Sequence, residues 1–157
     1  MSRRDEIQMN NDEVASFLTN QRTMTCATNG KDGWPHTMPL WFVLRQGTLW
    51  AWTFAKSQKV RNLERDSKAT IQVEAGDQYN ELRGVMFKSN VHLHRGTTQV
   101  ASVGLEIAAK YGGVPLDAIA PEAHALIQRQ AMKRVALEFV EERRATWDHR
   151  KLAAGIY

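Results

Sequence analysis

A chain of 157 residues, 43% hydrophobic and 24% charged, has the apolar material for one ordinary globular core and not the length for two, so a single domain over 1–157 is expected. Its formal net charge of +4 points to an anionic partner, and charge alone leaves nucleic acid, an acidic membrane surface and a phosphorylated small molecule open. The single cysteine, Cys26, excludes an internal disulfide, the opening MSRRDEIQMNNDE has no apolar stretch of the secretory kind, and the strongest apolar run, 38–44, is too short to span a bilayer. A cytoplasmic protein without a membrane segment is the expectation.

Asn10 followed three residues later by Glu13 reads as a capping box, with Val14, Phe17 and Leu18 on one face of a short opening helix. Residues 23–28 are rich in β-formers, and NGKDG at 29–33 tolerates positive φ, which predicts a hairpin. The return strand carries His36, Met38, Leu40, Phe42 and Leu44 on one face and Thr37, Trp41 and Val43 on the other. Both faces are largely apolar, so burial on both sides is expected. After a turn at 45–47, residues 48–54 set Trp50, Trp52 and Phe54 against Leu49, Ala51 and Thr53.

Ser57 is a candidate N-cap for a two-turn helix whose inward edge is Val60 and Leu63, with Lys59, Arg61 and Arg65 around them. Residues 69–74 and 82–94 read as two more strands. Val100, Val103, Gly104, Ile107, Ala108 and Tyr111 recur at helical spacing until GGVP at 112–115 stops them. A helix from Pro121 to about Met132 and a last strand at 134–140 complete the order. No linker, repeat or low-complexity tract interrupts it.

Six strands in consecutive hairpins, with helices between the later ones, predict a mainly β fold with peripheral helices: a six-stranded antiparallel barrel or strongly curled sheet. Strands apolar on both faces need cover, which a second copy of the chain could supply. The order strand, aromatic strand, basic helix outlines a slot for a partner that is flat at one end and anionic at the other, as a flavin-like cofactor is. A positive helix start and the nearby cations reinforce each other as an anion site.

Other features read more plainly. Trp41, Trp50 and Trp52 are core or interface residues before they are stacking platforms. His92 and His94 face the same way but have no third ligand at metal spacing, so they read as a surface or interface pair and no metal is expected. Cys26 reads as an inert core thiol. The tail 143–151 holds Arg143, Arg144, His149, Arg150 and Lys151 around Trp147, and two readings stay open: a frayed terminus, or a segment closing over a partner subunit's site. No G-x-S-x-G, P-loop, H-E-x-x-H or C-x-x-C pattern is present, so no catalytic residue is nominated. Without an RNP-type aromatic pattern or a recognition helix, nucleic-acid binding is not expected.

The run from DGWPHTMPLWFV through LWAWTFAKSQKVRNLERDSKATIQVE to ELRGVMFKSNVHLH resembles the pyridoxamine 5'-phosphate oxidase-like superfamily of split β-barrel flavoproteins. Within it the chain is most similar to the flavin/deazaflavin oxidoreductase B group, whose members use the deazaflavin coenzyme F420 or FMN. The K-x-R-N-L-x-R-D core at Lys59–Asp66 is the most specific piece, and the ending WDHRKLAAGIY is similar to tails of that group, although Ala153 and Ala154 stand where related tails often carry glycine. The resemblance implies an FMN-binding split barrel and a homodimer with cofactor sites at the interface. It places the backbone of Met38, Pro39 and Leu40 beside the ring, and Thr53 with Lys56, Ser57, Lys59, Val60, Arg61 and Asn62 around the phosphate, Lys59 leading. Trp147 and His149 would come from the tail.

It further implies an F420-dependent oxidoreductase that moves a hydride between the deazaflavin and a small organic acceptor, the protein orienting and shielding the ring. An FMN-dependent, pyridoxamine-phosphate-oxidase-like enzyme and a non-catalytic carrier of F420 or flavin are the alternatives.

Overall fold

The computed structural model describes residues 2–152; Ala153 and Ala154 lie outside them. One antiparallel sheet dominates. Its strands are β1 (Met24–Asn29), β2 (Pro35–Leu40), β3 (Val43–Arg45), β4 (Thr48–Phe54), β5 (Lys68–Ala75), β6 (Arg83–His94) and β7 (Arg134–Asp148), in the spatial order β2-β1-β5-β6-β7-β4-β3. The helices are α1 (Arg3–Glu6), α2 (Asn11–Asn20), α3 (Gln58–Arg65), α4 (Thr97–Gly112) and α5 (Pro121–Ala131). No helix among the described residues is long and apolar enough to cross a membrane.

Alternation along the strands sorts residues into two cores. Met24, Cys26, Ile71, Val73, Val85, Phe87, Val135 and Leu137 point into the curled sheet, where α2 adds Val14, Phe17 and Leu18 and α3 adds Val60 and Leu63. Helix α2 starts as its sequence predicts: the Asn10 side chain accepts from the Glu13 N–H at 2.9 Å, and the Glu13 carboxylate accepts from the Asn10 N–H at 2.7 Å. A second core lies on the other face of β4, where Trp50 and Ala136 meet Val100, Val103 and Ile107 of α4 and Ala131 of α5. Gly104 makes that approach possible, because a Cβ there would stand 2.5 Å from the Trp52 ring.

Two expectations are corrected. The strand predicted across 36–44 is two strands at opposite edges of the sheet, so the barrel has seven strands rather than six, and β2 is largely exposed rather than buried on both sides. Pro39 has no N–H to give a second neighbour, which confines its strand to an edge. The break comes at Phe42, which is fully buried. Its N–H donates to the Tyr111 hydroxyl at 2.9 Å, and its carbonyl accepts from Lys110 Nζ at 3.1 Å. Helix α4 thus takes the backbone groups that a continuous strand would have paired.

The second correction concerns the tail. β7 runs to Asp148, eight residues past the predicted end, pairing Arg143–Asp148 with Arg83–Lys88. The frayed reading therefore fails. Charged residues at 141–144 mask the strand pattern because that stretch of β7 is exposed. Beyond it, the Asp148 N–H donates to the Ile7 carbonyl at 2.7 Å, and Lys151 Nζ reaches the Glu13 carboxylate at 2.7 Å and the Gln8 carbonyl at 2.6 Å. These bonds hold the basic tail against the start of its own chain.

Candidate cofactor site

The loop after β4 turns into α3, with Ser57 as N-cap in extended backbone. As in any α-helix, the first N–H groups have no intrahelical acceptor. The Ser57 hydroxyl does not cap them; its Oγ is buried and has no hydrogen-bond partner among the described residues. Two residues on, the Lys59 side chain turns inward. It is 7% exposed, and Nζ donates to Thr53 Oγ1 at 3.1 Å. No carboxylate pairs with it among the described residues, and burial holds its pKa below the ordinary lysine value. A buried cation and a buried hydroxyl without a partner are each costly unless a ligand completes them.

Asn62, also fully buried, ties this end of α3 to the sheet: Nδ2 donates to Thr28 Oγ1 at 3.0 Å and Oδ1 accepts from Gln58 Nε2 at 2.9 Å. Thr28 pairs with His36 and Cys26 pairs with Met38 across the β1–β2 ladder, and directly opposed residues share a face. Cys26 lies within electrostatic reach of Lys59, and burial pushes its thiol up to about 12. Met38 is therefore on the same face of the sheet as the Lys59 ammonium, at an edge strand where it is 43% exposed. Leu40 is half-buried and packs on the core, while Pro39 is exposed and faces the other way.

The predicted residues thus fall into two groups. Thr53, Ser57, Lys59 and Asn62 converge at the start of α3, and Met38 and Leu40 lie along the open edge beside them. Lys56 and Arg61 are exposed at the rim, and Val60 is in the core, where only its backbone is available. Trp147 and His149 are elsewhere in the chain. Trp147 covers Gly84, where a Cβ would stand 2.3 Å from its ring, and His149 Nδ1 is 2.9 Å from the Tyr79 carbonyl. Gly84 pairs with Glu74, at the far end of β5 from α3, roughly 20 Å along the strand at about 3.3 Å per residue.

Sequence reasoning missed His36 and Gln58. Both line a cavity between the β1–β2 hairpin and α3, of about 640 Å³, together with Trp34 and Asn62. The His36 Nδ1 is buried and has no hydrogen-bond partner among the described residues. Only the ladder register places His36 beside α3. His92 and His94 both approach Glu138, at 3.6 and 2.7 Å, and the described residues hold no cluster of three or more acidic, histidine or cysteine side chains suited to a metal ion.

The curled antiparallel sheet with its peripheral helices is a split barrel, and the sequence says which family of split barrels the chain falls in. The family model for pyridoxamine 5'-phosphate oxidase matches residues 11–142. The chain belongs to that family. Among solved structures it is similar to the conserved hypothetical protein Rv2991 from Mycobacterium tuberculosis, at 34% identity over 99% of this chain and 98% of that one, with a TM-score of 0.87. It shares the fold of an F420 reductase (21% identity, 83% and 94% of the two chains, TM-score 0.64) and of a FAD-binding protein from Mesorhizobium loti (17%, 88% and 94%, TM-score 0.63). No curated protein matches the chain.

Proposed function

We propose that the protein is a homodimeric oxidoreductase that binds coenzyme F420 in the cleft between α3 and the β2 edge, and through it reduces a small organic acceptor. The observation that carries this reading is Lys59: a buried ammonium that pairs with no carboxylate among the described residues, two residues along the chain from Ser57, whose buried hydroxyl has no hydrogen-bond partner among them. A phosphate would satisfy both, with the free N–H groups of the first turn of α3 as further donors. Thr53 holds the ammonium in place, Lys56 and Arg61 add charge at the rim, and Met38 and Leu40 offer an apolar edge to a flat ring. When bound, the deazaflavin supplies the hydride. The chain's own part is to anchor the phosphate, orient the ring and exclude water from its inner face. The likeness to an F420 reductase, though limited to the fold, points the same way.

Titration of the purified protein with F420 and with FMN, followed by fluorescence, tests the proposal. Micromolar F420 binding that weakens roughly 10- to 100-fold in Lys59→Ala, the loss of one charge-assisted contact, is expected. Tight FMN binding with no response to F420 would reassign the cofactor. An unchanged affinity in Lys59→Ala would remove the phosphate site.

A further inference from the structure

We infer that Trp41, Tyr111, Arg22 and Lys110 form the acceptor subsite, and that it takes a planar, carboxylate-bearing molecule. This rests on the cofactor placement proposed above. Strand β2 begins at the α3 end, where His36 shares a cavity with Gln58 and Asn62. It runs past Met38 and Leu40 and delivers Trp41 at its other end, roughly 17 Å from His36 at about 3.3 Å per residue. Trp41 follows directly on Leu40, the last residue of β2, so it is the next residue along the chain from a ring placed beside Met38 to Leu40.

Trp41 is held for stacking. Its indole lies on the Tyr111 ring with centroids 4.2 Å apart and planes 8° from parallel, yet the residue remains 56% exposed and so accessible to a ligand. Tyr111 cannot swing away: its hydroxyl accepts from the Phe42 N–H at 2.9 Å and donates to the Arg22 carbonyl, while its own carbonyl accepts from Arg22 Nη2 at 2.9 Å. The platform is rigid because two chain segments nearly 90 residues apart are pinned through one phenol.

Two cations flank it. The Arg22 guanidinium carbon is 4.9 Å and the Lys110 ammonium 5.3 Å from the Tyr111 ring centre. Neither forms an ion pair with a carboxylate among the described residues. The acid nearest in sequence on α4, Glu106, is committed to Arg45 at 2.6 Å. Lys110 spends one donor on the Phe42 carbonyl and Arg22 one on the Tyr111 carbonyl, which leaves donors of both for a ligand. Stacking surface plus two uncompensated cations selects a flat conjugated anion over a neutral ring or an aliphatic acid.

The experiment measures binding of 2-naphthoate and of its neutral isostere 2-naphthylmethanol by calorimetry, to the protein with and without F420. Expected is a preference for naphthoate of about tenfold or more, near 1.4 kcal/mol, lost in Arg22→Gln, with binding of both probes lost in Trp41→Ala and F420 affinity unchanged in both variants. Equal affinity for the two probes, or a preference that survives both substitutions, overturns the subsite. Failure of F420 to bind while the naphthoate preference stands sinks the cofactor reading alone, because the probe is also measured without it.

Discussion

The Lys59 ammonium meets the Thr53 hydroxyl at 3.1 Å inside the curled sheet, and among the described residues that is the hydrogen bond it has. One neutral hydroxyl does not replace the hydration a lysine gives up on burial. The residue best placed to hold an anion is therefore also a cost to the empty protein, which is how binding residues commonly stand to stability.

Lys59→Met keeps the unbranched side chain as far as Cε and removes the charged nitrogen. The cofactor-free variant is expected to gain about 1 kcal/mol, a rise of roughly 2–4 °C in the thermal midpoint for a chain of this size. A melting scan with and without saturating F420 reads both halves of the trade: the variant melts above wild type when empty, and F420 raises its midpoint less. A variant that melts lower when empty would mean that the Thr53 bond outweighs the buried charge.

Lys110 gives a prediction with a pH sign. Burial is the main cause, and the Arg22 charge a further one, pushing its pKa from 10.5 down to about 8. Between about pH 8 and 10.5 the unfolded chain holds more protons at this site than the folded one, so this lysine makes stability rise with pH across that window. Below about 8 its cost is constant and full. Lys110→Met removes the effect, so the variant's advantage over wild type is largest at pH 7 and narrows by pH 9.5. Urea denaturation at pH 7, 8.5 and 9.5 checks this; a difference independent of pH would show that Lys110 titrates alike in both states.

What the sequence could show and what it could not divides along distance in the chain. The Asn10–Glu13 box, the Ser57 helix start and the glycine stop at 112–113 are local, and each is set by bonds among residues a few positions apart. Gly113 sits at φ +67°, as a left-handed helix cap requires. The family and its split barrel were legible because strand, strand and basic helix follow one another without a gap.

The break at Trp41 and Phe42 was hidden because its cause, Tyr111, lies about 70 residues away, and nothing in an apolar run announces that a helix will take its backbone groups. The direction of Lys59 was hidden too. Beside Val60 and Leu63 it reads like Arg61 and Arg65, which are exposed, and only the packing of α3 over β1 turns it inward. Trp147 and His149 read as residues of a tail that reaches a partner subunit's site; within their own chain they lie against Gly84 and the Tyr79 carbonyl.

The contact of α4 with β4 permits a sharper test, because two known effects oppose each other at one atom. Gly104 lies inside a helix, where replacement by alanine ordinarily stabilises by about 0.5–1 kcal/mol. Here, however, the new Cβ would stand 2.5, 2.7 and 2.9 Å from three atoms of the Trp52 ring. Overpacking of that kind costs about 1–3 kcal/mol and wins, so Gly104→Ala is destabilising in the natural background. Trp52 is also covered by Arg134, whose guanidinium carbon is 4.4 Å from its ring centre, so the ring has little room to retreat. In a Trp52→Leu background the opposing atoms are gone and only the helix preference remains. Gly104→Ala should then change sign and stabilise, a coupling between neighbours that denaturant melts of the four proteins in the cycle measure directly. Destabilisation in both backgrounds would mean that something other than the Trp52 ring demands glycine at this position.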